Sequence, residues 1–186
     1  MLEVPTTETR PVLSLDMTRM TKLLSLDEAN GIAVIECGAN GRELEVALNA
    51  KGYTMGHEPD SYEFSTLGGW VSTAASGMKR SRYGNIEDMI LNCDLVTAPD
   101  GVVHRRLLAR ARSSHGPEVQ SLLFGSEGNF GVIVTASVKV HKLASRQNYG
   151  AYGKKQAHGK GALPSRGSRS AWISLAAGRA ITWHSC

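Results

Sequence analysis

Residues His57 to Asn85 read HEPDSYEFSTLGGWVSTAASGMKRSRYGN. Two hydroxyl pairs, Ser65-Thr66 and Ser72-Thr73, and the glycines Gly68, Gly69 and Gly77 surround Trp70 in this stretch. Glycine lets a backbone approach a ligand closely. A helix starting near Thr66 is expected to point unpaired N–H groups at such a ligand, with the hydroxyls as further donors. An oxygen-rich anion such as a pyrophosphate suits that arrangement. The plainer alternative is that the small residues only pack a helix tightly against a sheet.

The chain has 186 residues, enough for one domain with a core of its own, or for a domain plus an appendage. Hydrophobic residues make up 41%, in the globular range. No apolar run approaches the length that crosses a bilayer. The opening residues MLEVPTTETRPV lack the pattern of a secretory signal, and the final ITWHSC is not a peroxisomal tripeptide. Cys37, Cys93 and Cys186 are far apart and odd in number, which suggests reduced thiols rather than a disulfide frame or metal site. No metal ligand is assigned.

The net charge of +4 hides a division. Residues 1–127 carry 12 basic and 17 acidic side chains, a balance of −5, whereas residues 128–186 carry 9 basic and no acidic ones. A basic end can dock on nucleic acid or an acidic membrane, or can be solvated and disordered.

Outward from the central stretch, Pro11 to Leu15 alternates as a strand, and Met20 to Leu26 forms a second short element. Asn30-Gly31 signals a turn, and Gly31 to Cys37 reads as a buried strand. RELEVALNAKG follows Asn40 and Gly41 as a helix. Its Leu44, Ala47 and Leu48 share one face, and Gly52 stops it. Tyr53 to Met55 is a short strand, and His57 a polar residue at a turn. Lys79, Arg80 and Arg82 form a basic patch, read chiefly as a solvated loop and secondarily as steering for an anion.

Asn85 to Met89 is one helical turn. Ile90 to Thr97 alternates as a strand, and Pro99-Asp100-Gly101 turns it into Val102 to His104. Arg105 to His115 is a loop. Pro117 opens a helix through EVQSLLF that ends at Gly125. GSEGNFG, residues 125–131, is a second glycine-rich loop. It leads into a strand, Val132 to Val140, with Val132, Val134, Ala136, Val138 and Val140 on its drier face and Ile133, Thr135, Ser137 and Lys139 on the other. Beyond Leu143 the chain is rich in Gly, Ser, Arg and Lys without a sustained period. It reads as a disordered basic tail, or as sequence joined by a misassigned frame or splice junction.

The run GHEPDSYEFSTLGGWVSTAASGMK, with YGNIEDM, VTAPDG and GSEGNFGVI, resembles the alkyldihydroxyacetonephosphate synthase (alkylglycerone-phosphate synthase) family over roughly Arg10 to Leu143. These belong to the flavoproteins that include vanillyl-alcohol oxidase and p-cresol methylhydroxylase. The resemblance implies an α+β, FAD-binding PCMH-type domain with FAD held non-covalently between two subdomains. It places cofactor contacts at Asp60, Ser61, Tyr62, Glu63, Phe64, Ser65 and Thr66, with Gly68 and Gly69 behind them. A second set is Thr73, Ala74, Ala75 and Ser76. A third is Glu127, Gly128, Asn129, Phe130, Gly131, Val132 and Ile133. The residues' own chemistry agrees for the first and third segments, which offer small residues and free backbone groups.

The implied reaction exchanges the acyl chain of acyl-dihydroxyacetone phosphate for a fatty alcohol, in ether lipid biosynthesis. No net oxidation occurs, so the cofactor carries the chemistry while the protein supplies placement and electrostatics. Peroxisomal or glycosomal residence follows from the resemblance, which also admits peripheral membrane association and a homodimer. Nucleic acid is not expected as a partner.

Departures from the pattern set further expectations. An earlier glycine-rich loop belongs before residue 10, and Ala74 stands where the family usually has arginine. A substrate-binding cap with the catalytic groups belongs after Leu143. The chain is thus expected to hold most of the second FAD subdomain (1–143), a truncated first subdomain and no cap, followed by the tail (144–186). It is expected to keep part of an FAD site without running the exchange alone. His141, His158 and His184 are isolated, and no catalytic residue is assigned. The alternatives are an FAD-linked oxidase or dehydrogenase of the same fold, such as a D-lactate dehydrogenase-like enzyme, and a non-catalytic binding module with a basic tail.

Overall fold

The computed structural model describes residues 7, 9–97, 101, 103, 104, 114 and 118–144. An antiparallel five-stranded sheet forms its base. The strands are β1 (Leu23–Asp27), β2 (Ile32–Glu36), β4 (Ile90–Val96), β5 (Val103–His104) and β6 (Val132–Lys139), in the order β1-β2-β6-β4-β5. A two-stranded sheet pairs β3 (Tyr53–Thr54) with β7 (His141–Lys142). Between the strands run α1 (Gly41–Asn49), α2 (Leu67–Ser72), α3 (Arg80–Tyr83) and α4 (Ile86–Met89), with a 3₁₀ turn at Val119–Leu123. This is the α+β class that the sequence implies.

Local chemistry explains several of these elements. Asp27 caps the β1–β2 turn, accepting bonds from the N–H groups of Ala29 and Asn30 and from the Asn30 side chain. Gly31 then takes φ +63°, a left-handed conformation that costs glycine little. Helix α1 starts at a full capping box: Asn40 accepts from the Glu43 N–H at 2.9 Å, and Glu43 reaches back to the Asn40 N–H. Its Leu44 and Leu48 are buried with Ala33, Ile35, Leu67, Trp70, Val71, Ile86, Met89 and Val138 in one core.

Several expectations change. Pro11 to Leu15 is no strand; Leu13 and Leu15 are exposed and the segment pairs with nothing among the described residues. EVQSLLF forms only the short 3₁₀ turn. Strand β6 has no single dry face, because Ile133, Ala136, Ser137 and Val138 are all buried. The cause is a bulge: Asp94 pairs with Thr135 but Leu95 pairs with Ile133, so Val134 is left over and the alternation resets. Strand β4 is buried at six consecutive positions, and its buried Asp94 accepts a bond from the Thr135 hydroxyl. The turn at Pro99-Asp100, the loop from Arg105 to Ser113, Pro117 and residues 145–186 lie outside the described residues.

Gly131, at the mouth of β6, has φ +142°, and a Cβ there would collide with the Val96 carbonyl oxygen. Gly131→Ala is expected to cost about 2–4 kcal/mol, since backbone must move on both strands. Urea titration of the two proteins measures the difference.

Candidate functional site

The chain enters the central stretch through a carboxylate. Glu45 of α1 accepts bonds from the Thr54 hydroxyl and the Met55 and Gly56 N–H groups, at 2.8–3.2 Å. His57 follows, buried to 1% exposure. It is therefore not a polar residue at a turn. Its ring meets Trp70 edge-on, with centroids 4.9 Å apart, and neither ring nitrogen has a hydrogen-bond partner. Loss of water pushes its pKa down from 6.5 to about 4, so the imidazole is neutral near pH 7.

Residues Pro59 to Thr66 then coil tightly. Tyr62 N–H donates to the Pro59 carbonyl, and the N–H groups of Phe64 and Ser65 donate to the Ser61 carbonyl. The Ser65 hydroxyl donates to the same carbonyl and accepts from Trp70 Nε1 at 2.7 Å. The turn is locked onto α1 as well, because Gly41 N–H donates to the Tyr62 carbonyl at 2.9 Å. A Cβ on Gly41 would lie 2.5 Å from that oxygen.

Helix α2 corrects the expectation of open donors at its start. Leu67 N–H donates to the Ala39 carbonyl, Gly68 N–H to Cys37 and Gly69 N–H to Thr66 Oγ1. The hydroxyls of Ser72 and Thr73 donate back to the carbonyls of Gly68 and Gly69, each at 2.8 Å. Gly68 faces inward, where a Cβ would meet Cys37 at 3.2 Å. The close packing of helix on sheet, the plainer of the two readings, is thus what Gly68 serves. Gly69 is exposed and meets only the Thr66 hydroxyl.

The open donors lie past the other end of the helix. Gly125 N–H and Glu127 N–H donate to the carbonyls of Val71 and Ser72, at 3.4 and 2.9 Å, and tie the second glycine-rich loop to the end of α2. Ala74 and Glu127, at φ +49° and +50°, are the two left-handed non-glycine residues among those described. Such strain persists where the surrounding fold holds it, and clusters at functional sites. Thr73, Ala74, Ser76 and residues 127–130 are exposed or half-buried around this junction. Among the described residues, the N–H groups of Ser76, Gly128 and Phe130 take no hydrogen bond. A Cβ on Gly128 would meet nothing within 4 Å.

The three expected contact segments thus flank one short helix: residues 60–66 lead into it, 73–76 leave it, and 127–130 begin at Glu127, which is bonded to its end. Ile133 and Gly68 are turned into the core or onto the sheet, and Tyr62 and Ala75 are half-buried against the core. The segments themselves are acidic. They hold Asp60, Glu63 and Glu127 but no Lys or Arg. Arg80, from the adjoining basic patch, donates from Nη1 to Ser76 Oγ at 3.3 Å, and Ser76 is also bonded to Asn85. Lys79 is paired with Glu58 and Arg42 with Glu63.

Cys37 and Cys93 are both buried and unbridged. Burial and then Asp94 push the Cys93 thiol up to about 12, and burial raises Cys37 as well. Neither is a ready nucleophile.

The pattern of an FAD binding domain family matches residues 4–106. The chain is 43% identical to alkyldihydroxyacetonephosphate synthase of Caenorhabditis elegans over 151 residues, covering 81% of this chain and 25% of that protein. The synthase of Trypanosoma brucei brucei is 42% identical over 140 residues, covering 75% of this chain and 22% of that protein. A solved alkyldihydroxyacetonephosphate synthase structure superposes with TM-score 0.69 at 39% identity, over 78% of this chain and 26% of that one. The chain therefore spans about a quarter of the length of the relatives that it matches.

Proposed function

Since the chain belongs to the FAD-binding domain family, we propose that it holds FAD for an alkyldihydroxyacetonephosphate synthase-like reaction of ether lipid biosynthesis. That reaction exchanges the acyl chain of acyl-dihydroxyacetone phosphate for a fatty alcohol. The observation that carries the reading is the junction at the end of α2. There Glu127, left-handed like Ala74, is bonded to Ser72, and the N–H groups of Ser76, Gly128 and Phe130 in the same two segments make no hydrogen bond among the described residues.

These features fit the cofactor. A long, oxygen-rich ligand needs backbone donors and little side-chain bulk along its path. Bound FAD supplies the reactive ring. This chain's residues 60–66, 73–76 and 127–131 orient it, and Ser65 keeps the first of these segments in shape by holding the Trp70 indole. No residue of the chain is assigned to proton transfer. The exchange chemistry, the two lipid substrates, a peroxisomal or glycosomal location, peripheral membrane association and a homodimer belong to the proposal for the whole protein. Residues 1–143 form its cofactor-holding part.

Titration of the purified chain with FAD, followed by flavin fluorescence, is expected to saturate at one flavin per chain. The chain alone is expected to give no synthase turnover. An unchanged flavin signal contradicts the cofactor role, and robust turnover contradicts the division of labour.

A further inference from the structure

We infer that Arg80 supplies the cation that meets the anionic, phosphate-bearing part of the cofactor; the inference rests on the reading above. The three contact segments bring three carboxylates, Asp60, Glu63 and Glu127, and no base. A ligand with two phosphate charges laid along such segments meets repulsion that backbone donors offset only in part. A base from outside the segments must answer it.

Among the basic side chains, Arg42 is bonded to a carboxylate of the contact segments and Arg80 to a hydroxyl, and the second keeps its charge for a ligand. Lys79 lies against Glu58, with its side chain only 15% exposed. Arg42 faces Glu63 at 3.6 Å. Arg82 lies over the Tyr83 ring, 5.2 Å from its centroid. Lys139 donates to the Asp88 carbonyl at 2.7 Å. Arg80 is open to solvent, and its bond to Ser76 Oγ sets its guanidinium at the edge of the second contact segment. That bond uses one of five N–H donors, so the rest of the fork is open to a phosphate, whose geometry it matches. Helix α3 fixes its backbone: the Gly84 N–H donates to the Arg80 carbonyl at 2.9 Å.

The test compares FAD with riboflavin, which has the same ring and no phosphate, on the full chain. Arg80→Gln is expected to weaken FAD binding about tenfold, the size of one charge-assisted bond. It should flatten the salt dependence of FAD binding and leave riboflavin binding unchanged. Arg80→Lys is expected to recover the salt dependence and part of the affinity. Urea midpoints equal to that of the unaltered chain show that the fold is kept. FAD affinity unchanged in Arg80→Gln overturns the inference and leaves the cofactor reading standing. Equal losses for FAD and riboflavin also overturn it, since they mean that Arg80 only holds the loop. If the unaltered chain binds no FAD, the reading and the inference fall together.

Discussion

Trp70→Ala is expected to lower stability by about 3–5 kcal/mol, the range for removing a buried aromatic ring. The indole is 2% exposed and joins several parts of the domain. It donates to Ser65, meets His57 edge-on and lies where a Cβ on Gly41 would come within 2.9 Å of it. Its backbone carbonyl also accepts from the Ala75 N–H at 2.9 Å. Truncation leaves a cavity between α1, α2 and the coil at residues 59–66, and removes a partner of the Ser65 hydroxyl. A domain of this size has about 5–15 kcal/mol in all, so a large part of its margin goes. Trp70→Phe keeps the ring contacts and loses the N–H, and is expected to cost about 1–2 kcal/mol. Urea denaturation of the three proteins checks both figures. A loss below about 1 kcal/mol for the alanine variant would show that the indole is not such a joint.

The second large effect is acid lability centred on His57. Its ring is neutral in the folded state, with a pKa of about 4, against 6.5 for an unhindered histidine. Between those values the unfolded chain binds a proton that the folded chain refuses. Stability contributed by the neutral ring is therefore full above about pH 6.5 and declines as pH falls toward 4. The loss across that window is on the order of 2–3 kcal/mol, added to whatever the carboxylates contribute. Asp16 and Asp27 have pKa values lowered by their hydrogen bonds, so their contributions fade only at lower pH. His57→Leu removes the titrating group and two unpartnered ring nitrogens. It is expected to fold and to lose this segment of the pH dependence. Urea midpoints measured from pH 7 to pH 4.5 decide the matter: parallel curves for the two proteins would mean that another group carries the effect.

Much of the fold was legible because its signals are local. Asn40 and Glu43 are three residues apart, and the capping box needs nothing else. Asn30-Gly31 carries its own turn geometry, and Thr66 caps α2 from its own side chain. Features set by distant partners were hidden. The donors at the start of α2 look open in the sequence, yet they are taken by the carbonyls of Cys37 and Ala39, far earlier in the chain. The reset of alternation at Val134 comes from pairing with Asp94 and Leu95, and nothing near Val134 announces it. Pro11 to Leu15 alternates well but has no neighbour with which to pair among the described residues. The burial of His57 depends on Trp70 and on Gly77, where a Cβ would stand 3.1 Å from Nδ1.

The candidate site divides in the same way. Its segments were found through resemblance, and their small residues made sense chemically. Their arrangement around α2, with 60–66 at its start and 73–76 and Glu127 at its end, required the fold. The basic patch was visible, but the bond from Arg80 to Ser76 that connects it to the contact segments was not.

The bond from Glu127 to Ser72 has an architectural consequence. It fastens the end of α2 to a segment far later in the chain, like a clasp on a ribbon. Two positions far apart in the sequence are thereby held at hydrogen-bond distance, and the entropy cost of closing so large a loop rises only slowly with its length. Because the bond joins main-chain groups, side-chain changes at either position leave the edge proposed for the flavin in place.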